Sequence, residues 1–244
     1  MLQKLIADNY SAYSYCKFAL SNFTCMNKKT WFYIAFFVGL FIVFYLVLTR
    51  IIPGFGEKKL PILNDVQPFA FTNQEGKSLT DKDVQGKVYV AEYFFTTCKG
   101  ICPKMNHNLM QVYEMYKDEP GFLILSHTVD PATDSVQRMK RYADSIGVNP
   151  KTWWFLTGRK DSLYKAARVS YLLDDPKNNN ISVNEQFIHT QFFALVDKNG
   201  QVRKIYDGLK KDEISALKDD IKKLLKETMT GKRFANSFFT NDPN

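Results

Sequence analysis

The 244-residue chain has little of what marks several specialised protein classes: it contains 4 cysteines, 12 glycines and 9 prolines. Four cysteines are too few for a disulfide-stabilised scaffold, and the low glycine and proline contents exclude collagen-like and low-complexity sequences. Acidic residues are outnumbered 25 to 33 by basic ones, which gives a net charge of +8. That excess suits an acidic partner or an anionic membrane surface. It is weak evidence for nucleic-acid binding, and we expect no nucleic-acid partner.

Charge is absent altogether from one early stretch, residues 31–49. At about 1.5 Å per residue, a helix of this length covers roughly 28 Å, which is enough for the hydrocarbon core of a bilayer. Trp31 and Tyr45 suit the two membrane interfaces. A buried helix of a soluble protein usually has a polar face, and this segment has none. The sequence therefore predicts a single transmembrane helix over residues 30–50.

The residues around this helix predict an uncleaved anchor and its orientation. No small-x-small cleavage site and no lipid-attachment cysteine follow the apolar run. Lys28 and Lys29 precede the helix directly, which favours a cytoplasmic N-terminal segment over residues 1–29 and places the rest on the extracytoplasmic, periplasmic or equivalent, side. Met26 and the residues after it resemble a natural start. We therefore hypothesise that translation begins at Met26.

The remaining chain is expected to form one domain on a tether. Residues 51–64 contain two prolines and two glycines and are predicted to be a linker. The predicted domain covers residues 65–227, a normal size for a single domain. A polar C-terminal tail, residues 228–244, completes the chain.

Strand-like and helix-like segments alternate within the predicted domain. The apolar run at 88–95 is typical of a strand covered on both faces. Further strands are predicted at 121–126 and 152–156, hairpins at 69–76 and 191–205, and helices at 105–116, 134–146, 162–169 and 211–226. Strand–helix–strand–helix–strand followed by a hairpin and a helix predicts an α/β sandwich with a mixed sheet.

Two cysteines follow the first long strand of this domain. Cys98 and Cys102 are four residues apart at the predicted start of a helix, and positions i and i+4 share one helix face. A helix N-terminus also lowers the pKa of a thiol, because its free N–H groups favour the thiolate. Thiolates bind soft metals and attack disulfides. The alternatives are a pair of buried structural cysteines and a plain disulfide.

A third ligand would have to come from a histidine. Two thiolates bind Cu(I), and a site that serves both copper oxidation states favours an added imidazole. His107 is expected on a solvent-facing side of the helix, and His127 in a core or capping position. His189 lies between a polar loop, residues 174–185, and the next strand, which makes it the candidate ligand. A lone histidine is, however, more often structural.

The string from Phe94 to Pro103 resembles the T-x-C-x-x-x-C-P motif of the Sco/SenC family of membrane-anchored copper proteins. Further matches follow in order, at residues 68–71, at residues 129–134 and at His189 with the threonine after it. The resemblance implies a thioredoxin-like fold and copper held by Cys98, Cys102 and His189. It also implies a role in assembling the copper centre of cytochrome c oxidase, whose copper-accepting subunit would be the partner. Lys99 follows the first cysteine, where many relatives have proline.

Two other functions would use the same cysteines. In a thiol–disulfide oxidoreductase that reduces the cysteines of an oxidase subunit, Cys98 would attack and Cys102 would resolve. That chemistry does not need His189, whereas a copper site serving both oxidation states does. A peroxidase or a redox sensor is a weaker third hypothesis.

Overall fold

A computed structural model describes residues 28–51, 59–175, 177, 182, 188 and 190–229. The hypothesised start at Met26, the candidate ligand His189 and most of the predicted tail lie outside these residues. The chain divides into two compact units, Met1–Lys59 and Leu60–Asn244.

The described part of the first unit is one long helix, α1 (Lys28–Ile51). Its apolar window has a mean hydropathy of 2.5, and none of its side chains is buried. By length and composition it is the one helix in the described part of the chain that is able to cross a bilayer. It is therefore a candidate membrane anchor.

The second unit is built on an eight-stranded sheet in the order β1-β8-β7-β4-β5-β6-β2-β3. The central strands β4, β5 and β6 run parallel to one another, and every other neighbouring pair is antiparallel. The strands are β1 (Asn64–Asp65), β2 (Ala70–Asn73), β3 (Ser78–Thr80), β4 (Val88–Phe94), β5 (Phe122–Thr128), β6 (Trp153–Thr157), β7 (Phe192–Val196) and β8 (Gln201–Asp207).

Among the described residues, five α-helices and one π-helix accompany the sheet. They are α2 (Asp81–Val84), α3 (Cys102–Tyr116), α4 (Val136–Ile146), α5 (Lys160–Lys165), a π-helix (Ala166–Ser170) and α6 (Lys211–Lys226). Helix α4 shows why the predicted boundaries hold: the Ser135 hydroxyl accepts a hydrogen bond from the backbone N–H of Arg138, and Gly147 ends the helix at φ +73°. The helix predicted at 162–169 is instead divided between α5 and the π-helix.

Two hydrophobic cores, one on each face of the sheet, hold these elements together. On one face, apolar side chains of α3, α4 and α6 pack on Val90, Ile124 and Phe155. On the other face, α5 and the π-helix pack on Ala91 and Leu125. The mixed sheet covered on both faces confirms the predicted α/β sandwich.

Buried Arg203 ties both ends of this unit together. Its Nε donates to the carbonyl oxygen of Leu60 at 3.1 Å, and its Nη1 lies 2.9 Å from carboxylate oxygens of both Asp197 and Glu227. Residues that enter the unit and residues that leave α6 therefore share one buried cation.

Candidate metal centre

The cysteine pair lies where the parallel strands of the sheet end. Strand β4 ends at Phe94, Cys98 follows in the loop, and Cys102 is the first residue of α3. The i, i+4 argument assumed that both cysteines lie on one helix, but only Cys102 does. Instead the loop folds back, with the Cys98 N–H donating to the carbonyl oxygen of Phe95 at 3.2 Å. Both thiols are free, with Cys102 buried and Cys98 half-buried.

The surroundings of the two thiols separate their pKa values. Burial raises the pKa of Cys98, but hydrogen bonds from the Cys102 thiol and from the backbone N–H groups of residues 100–102 outweigh it and lower that pKa overall. Burial and the hydrogen bond to Cys98 raise the pKa of Cys102 to about 12. Cys98 is thus the group that becomes a thiolate first, and Cys102 is its donor.

A buried carboxylate fixes the loop that carries Cys98. The backbone N–H of Thr96 donates to Asp134 at 3.2 Å, and the Thr96 hydroxyl donates to the same carboxylate. The hydroxyl of Thr128, at the end of β5, donates to it at 2.6 Å. The sequence placed Asp134 at the start of the predicted helix 134–146 and within the family match at residues 129–134. In the structure Asp134 joins the ends of β4 and β5 just before the cysteine pair.

A small pocket opens beside the thiols. Cys98, Cys102 and Tyr93 contribute to its wall, and so do Ile188 and Thr190. The last two residues flank His189 in the sequence. The chain segment predicted to supply the third ligand therefore contributes residues to the same pocket as the cysteines.

The other two histidines have the surroundings that were expected of them. His107 is exposed on α3. His127 is fully buried on β5, where its ring stacks on Tyr93 with 5.0 Å between centroids. Burial lowers the pKa of His127 to about 4, so it is neutral at physiological pH. It is a core residue of the sheet.

One acid on β4 is buried, and it was not among the site residues predicted from the sequence. Glu92 is fully buried, and its Oε1 accepts a 2.5 Å hydrogen bond from the hydroxyl of Ser126, which in turn accepts one from the indole N–H of Trp153. Its Oε2 has no protein partner among the described residues. Burial raises the pKa of Glu92 to about 7. The available signal was one acidic residue within an apolar strand.

The Cys98 and Cys102 thiols are of the donor type that soft metals bind. Two thiol groups in hydrogen-bonding contact offer the ligands that Cu(I) prefers. Within the described ranges, no group of three or more histidine, cysteine, aspartate or glutamate side chains is placed to hold a metal ion.

Comparison with known proteins assigns the domain. The family model described as SCO1/SenC matches residues 62–226, about two thirds of the chain. The chain belongs to the SCO1/SenC family. Its mixed sheet with helices on both faces is the thioredoxin-like fold that the sequence motifs implied.

Individual Sco proteins agree with this assignment. The chain is 31% identical over 173 residues to the SCO1 protein homolog of Bacillus subtilis, covering 69% of this chain and 87% of that protein. It spans only 46% of the mitochondrial SCO1 homolog 1 of Arabidopsis thaliana, to which it is 26% identical over 59% of its own length.

Two solved structures of Sco proteins are described in terms of oxidase assembly and of bound copper. BsSco, a member of the Sco family of cytochrome c oxidase assembly proteins with an identified disulfide switch, superposes with a TM-score of 0.58 at 30% identity, over 69% of this chain and 98% of that one. ScoI of Bradyrhizobium japonicum with copper bound superposes with a TM-score of 0.52 at 25% identity, over 66% and 99%. Sco proteins are thus linked to copper and to oxidase assembly.

Proposed function

We propose that this chain is a membrane-anchored copper metallochaperone that helps to assemble the copper centre of cytochrome c oxidase. The observation that carries the proposal is the pair of free thiols, Cys98 and Cys102, in hydrogen-bonding contact at the strand ends. Membership of the SCO1/SenC family and the copper-bound relative support copper as the cargo.

Cys98 and Cys102 would bind Cu(I) as thiolates, and His189 would complete a site for Cu(II). Support for His189 comes from its neighbours, since Ile188 and Thr190 line the pocket beside both thiols. Three ligands on two separate chain segments allow one ligand to leave while the others hold the metal. Such a site is suited to passing copper on by ligand exchange.

The decisive test is copper titration of the reduced fragment 59–244. Matching solved structures consist almost wholly of this region, which supports its folding alone. We expect one equivalent of Cu(I) to bind and one equivalent of Cu(II) to give a thiolate charge-transfer band. His189→Ala should abolish that band and retain Cu(I) binding. The matched control, exposed His107→Ala, should change neither.

The same experiment separates the alternative function, reduction of disulfides in an oxidase subunit. The low pKa of Cys98 beside a protonated Cys102 is the arrangement of an attacking and a resolving thiol. If copper binding does not exceed that of a Cys98→Ser/Cys102→Ser control while Cys98 exchanges disulfides readily, the oxidoreductase replaces the metallochaperone. A wild-type fragment that neither binds copper nor exchanges disulfides would contradict both functions.

The anchor and its orientation are part of the proposal. Helix α1 would span the membrane with the second unit on the extracytoplasmic side, because Lys28 and Lys29 stand at its N-terminal end. A phosphatase fused after Asn244 should be active only if that side is correct. Activity of a cytoplasmic reporter alone at the same position would overturn the orientation.

A further inference from the structure

The cysteine loop with the start of α3, and the first part of α4, carry exposed cations and few carboxylates. From Phe94 to Gln111 the chain contains no aspartate or glutamate, and α4 has none before Asp144. The exposed cations in these two segments are Lys99, Lys104, Arg138, Lys140 and Arg141. Lys140 is paired with Glu75 at 2.9 Å. The other four, which we call the basic rim, form no ion pair with any carboxylate in the described part of the chain.

Two contacts bring the segments of the basic rim together. Asp134, immediately before the N-cap of α4, accepts hydrogen bonds from Thr96 in the cysteine loop. The Asn106 side chain on α3 donates to the hydroxyl of Tyr142 on α4 at 2.5 Å. The cysteine loop, α3 and α4 therefore lie next to one another.

The charges in these first turns run against helix electrostatics. A carboxylate near a helix N-terminus is stabilising and a cation there is unfavourable. In the same unit α2, α5 and α6 each have acidic residues in the first turn, whereas α3 and α4 have none. Lys104 and Arg138 stand in those two turns instead. A cation in such a turn is unfavourable for its helix, and neither Lys104 nor Arg138 forms an ion pair with a carboxylate in the described part of the chain. At α4 the Asp134 carboxylate just before the N-cap offsets part of this effect.

We propose that the basic rim binds an acidic face of the protein that accepts copper, an inference that rests on the proposed function. The rim lies on the cysteine loop and on the two helices next to it, and the thiols of this loop must come within reach of the acceptor's own ligands. This favours a protein over a lipid surface as its partner. Opposite charges on two such faces steer the encounter and orient it, chiefly by raising the association rate.

The test uses the reduced fragment 59–244 and two synthetic acceptor peptides with the same pair of cysteines, one flanked by glutamates and one by lysines. Rates of Cu(I) transfer and, in a copper-free arm, of disulfide exchange with the oxidised peptides are measured against ionic strength. Each rate is divided by the rate of the same reaction between that peptide and dithiothreitol, either as the Cu(I) complex or as the free dithiol. This removes differences in the peptides' own reactivity. We expect the acidic peptide to react at least about tenfold faster at low salt, and the preference to collapse near 1 M salt.

The variant Lys104→Glu/Arg138→Glu should abolish or invert this preference while keeping Cu(I) affinity, and its thermal midpoint should be no lower than that of the wild type. The matched control is Lys151→Glu/Lys222→Glu, which makes the same change of charge at exposed positions outside the rim. The control variant and the wild type should show the same preference for the acidic peptide.

Two results would overturn the basic rim as a protein-binding surface. One is equal rates with both peptides in the wild type. The other is salt-sensitive binding to phosphatidylcholine–phosphatidylglycerol vesicles that the Lys104→Glu/Arg138→Glu variant loses, which would assign the rim to the membrane. If the wild type binds no copper, the proposed function fails, and the copper-free arm still decides whether the rim selects acidic partners.

Discussion

Asp134 holds Thr96 by both its backbone N–H and its hydroxyl, although the two residues lie 38 positions apart in the sequence. The carboxylate is fully buried and accepts a third hydrogen bond from Thr128. Because Thr96 is two residues from Cys98, this one acid connects the position of the reactive thiol to the ends of two parallel strands.

Replacing Asp134 by asparagine should destabilise the domain and loosen the cysteine loop. The amide keeps one acceptor oxygen and places an NH2 group against hydrogen-bond donors, so buried donors lose their partner. We expect the free energy of unfolding in urea to fall by about 2–4 kcal/mol. Asp144→Asn, an exposed change on α4, is the control. Equal losses for both variants would show that the bridge to Thr96 does not stabilise the fold.

Cys98 should react with iodoacetamide at a lower pH than Cys102 in the fragment 59–244. Hydrogen bonds from Cys102 and from the backbone stabilise the Cys98 thiolate, whereas burial protects Cys102. Cys102→Ala removes one donor and should raise the apparent pKa of Cys98. Cys102→Ser retains a donor and should raise it less. Alkylation followed by mass spectrometry at several pH values measures this, and similar profiles for the two cysteines would contradict the assignment.

The sequence predicted the elements that have a clear period or a clear stop signal. The apolar run at Val88, the turn before Gly200 and the amphipathic repeat of α6 each correspond to an observed element. Strand β1 and helix α2 escaped prediction because two and four residues are too few to show a period. The π-helix differs from an α-helix in its hydrogen bonds, and the side-chain pattern does not record that difference.

The candidate site was predictable only in part, for a related reason. Cys98 and Cys102 are four residues apart, and this spacing was enough to predict a two-thiol site. The roles of Asp134 and Glu92 depend on contacts across the sheet, with Thr96 and Ser126 respectively. A single sequence contains no record of such contacts. Glu92 could have been singled out only as an acid in a strand that is otherwise apolar.

Arg203→Met should destabilise the domain strongly, because it leaves a buried carboxylate without its cation. Arg203 and Asp197 are both almost fully buried, and the same guanidinium binds the Leu60 carbonyl oxygen. Breaking a buried ion pair costs about 3–5 kcal/mol. Lys204→Met is the neighbouring control, since Lys204 is more exposed and lies 3.5 Å from its partner. In urea denaturation, the free energy of unfolding should fall several-fold more for Arg203→Met than for Lys204→Met. Comparable losses would show that the buried Arg203 contacts do not stabilise the domain.

Glu92→Gln should change how stability depends on pH. The pKa of Glu92 in the folded state is about 7 against an ordinary value of 4.5, because burial disfavours its charge. Between those values the unfolded chain releases a proton that the folded domain keeps, so the free energy of unfolding falls as pH rises from about 4.5 to 7. At roughly 1.4 kcal/mol per pH unit, the loss amounts to about 3 kcal/mol.

His127 acts in the opposite direction over an overlapping range. Burial lowers its folded pKa from 6.5 to about 4, so stability is lost as the pH falls through that interval. In wild type the two effects partly cancel between pH 4.5 and 6.5. Glutamine retains the acceptor for Ser126 and does not titrate, so the variant should be about 3 kcal/mol more stable at pH 8 and should show the acid limb of His127 alone. Urea denaturation across pH measures both effects, while a protonated-carboxyl infrared band at pH 6, lost in Glu92→Gln, identifies the group. Parallel stability curves for the two proteins would mean that Glu92 is ionised in the fold, and that its charge is compensated within the sheet.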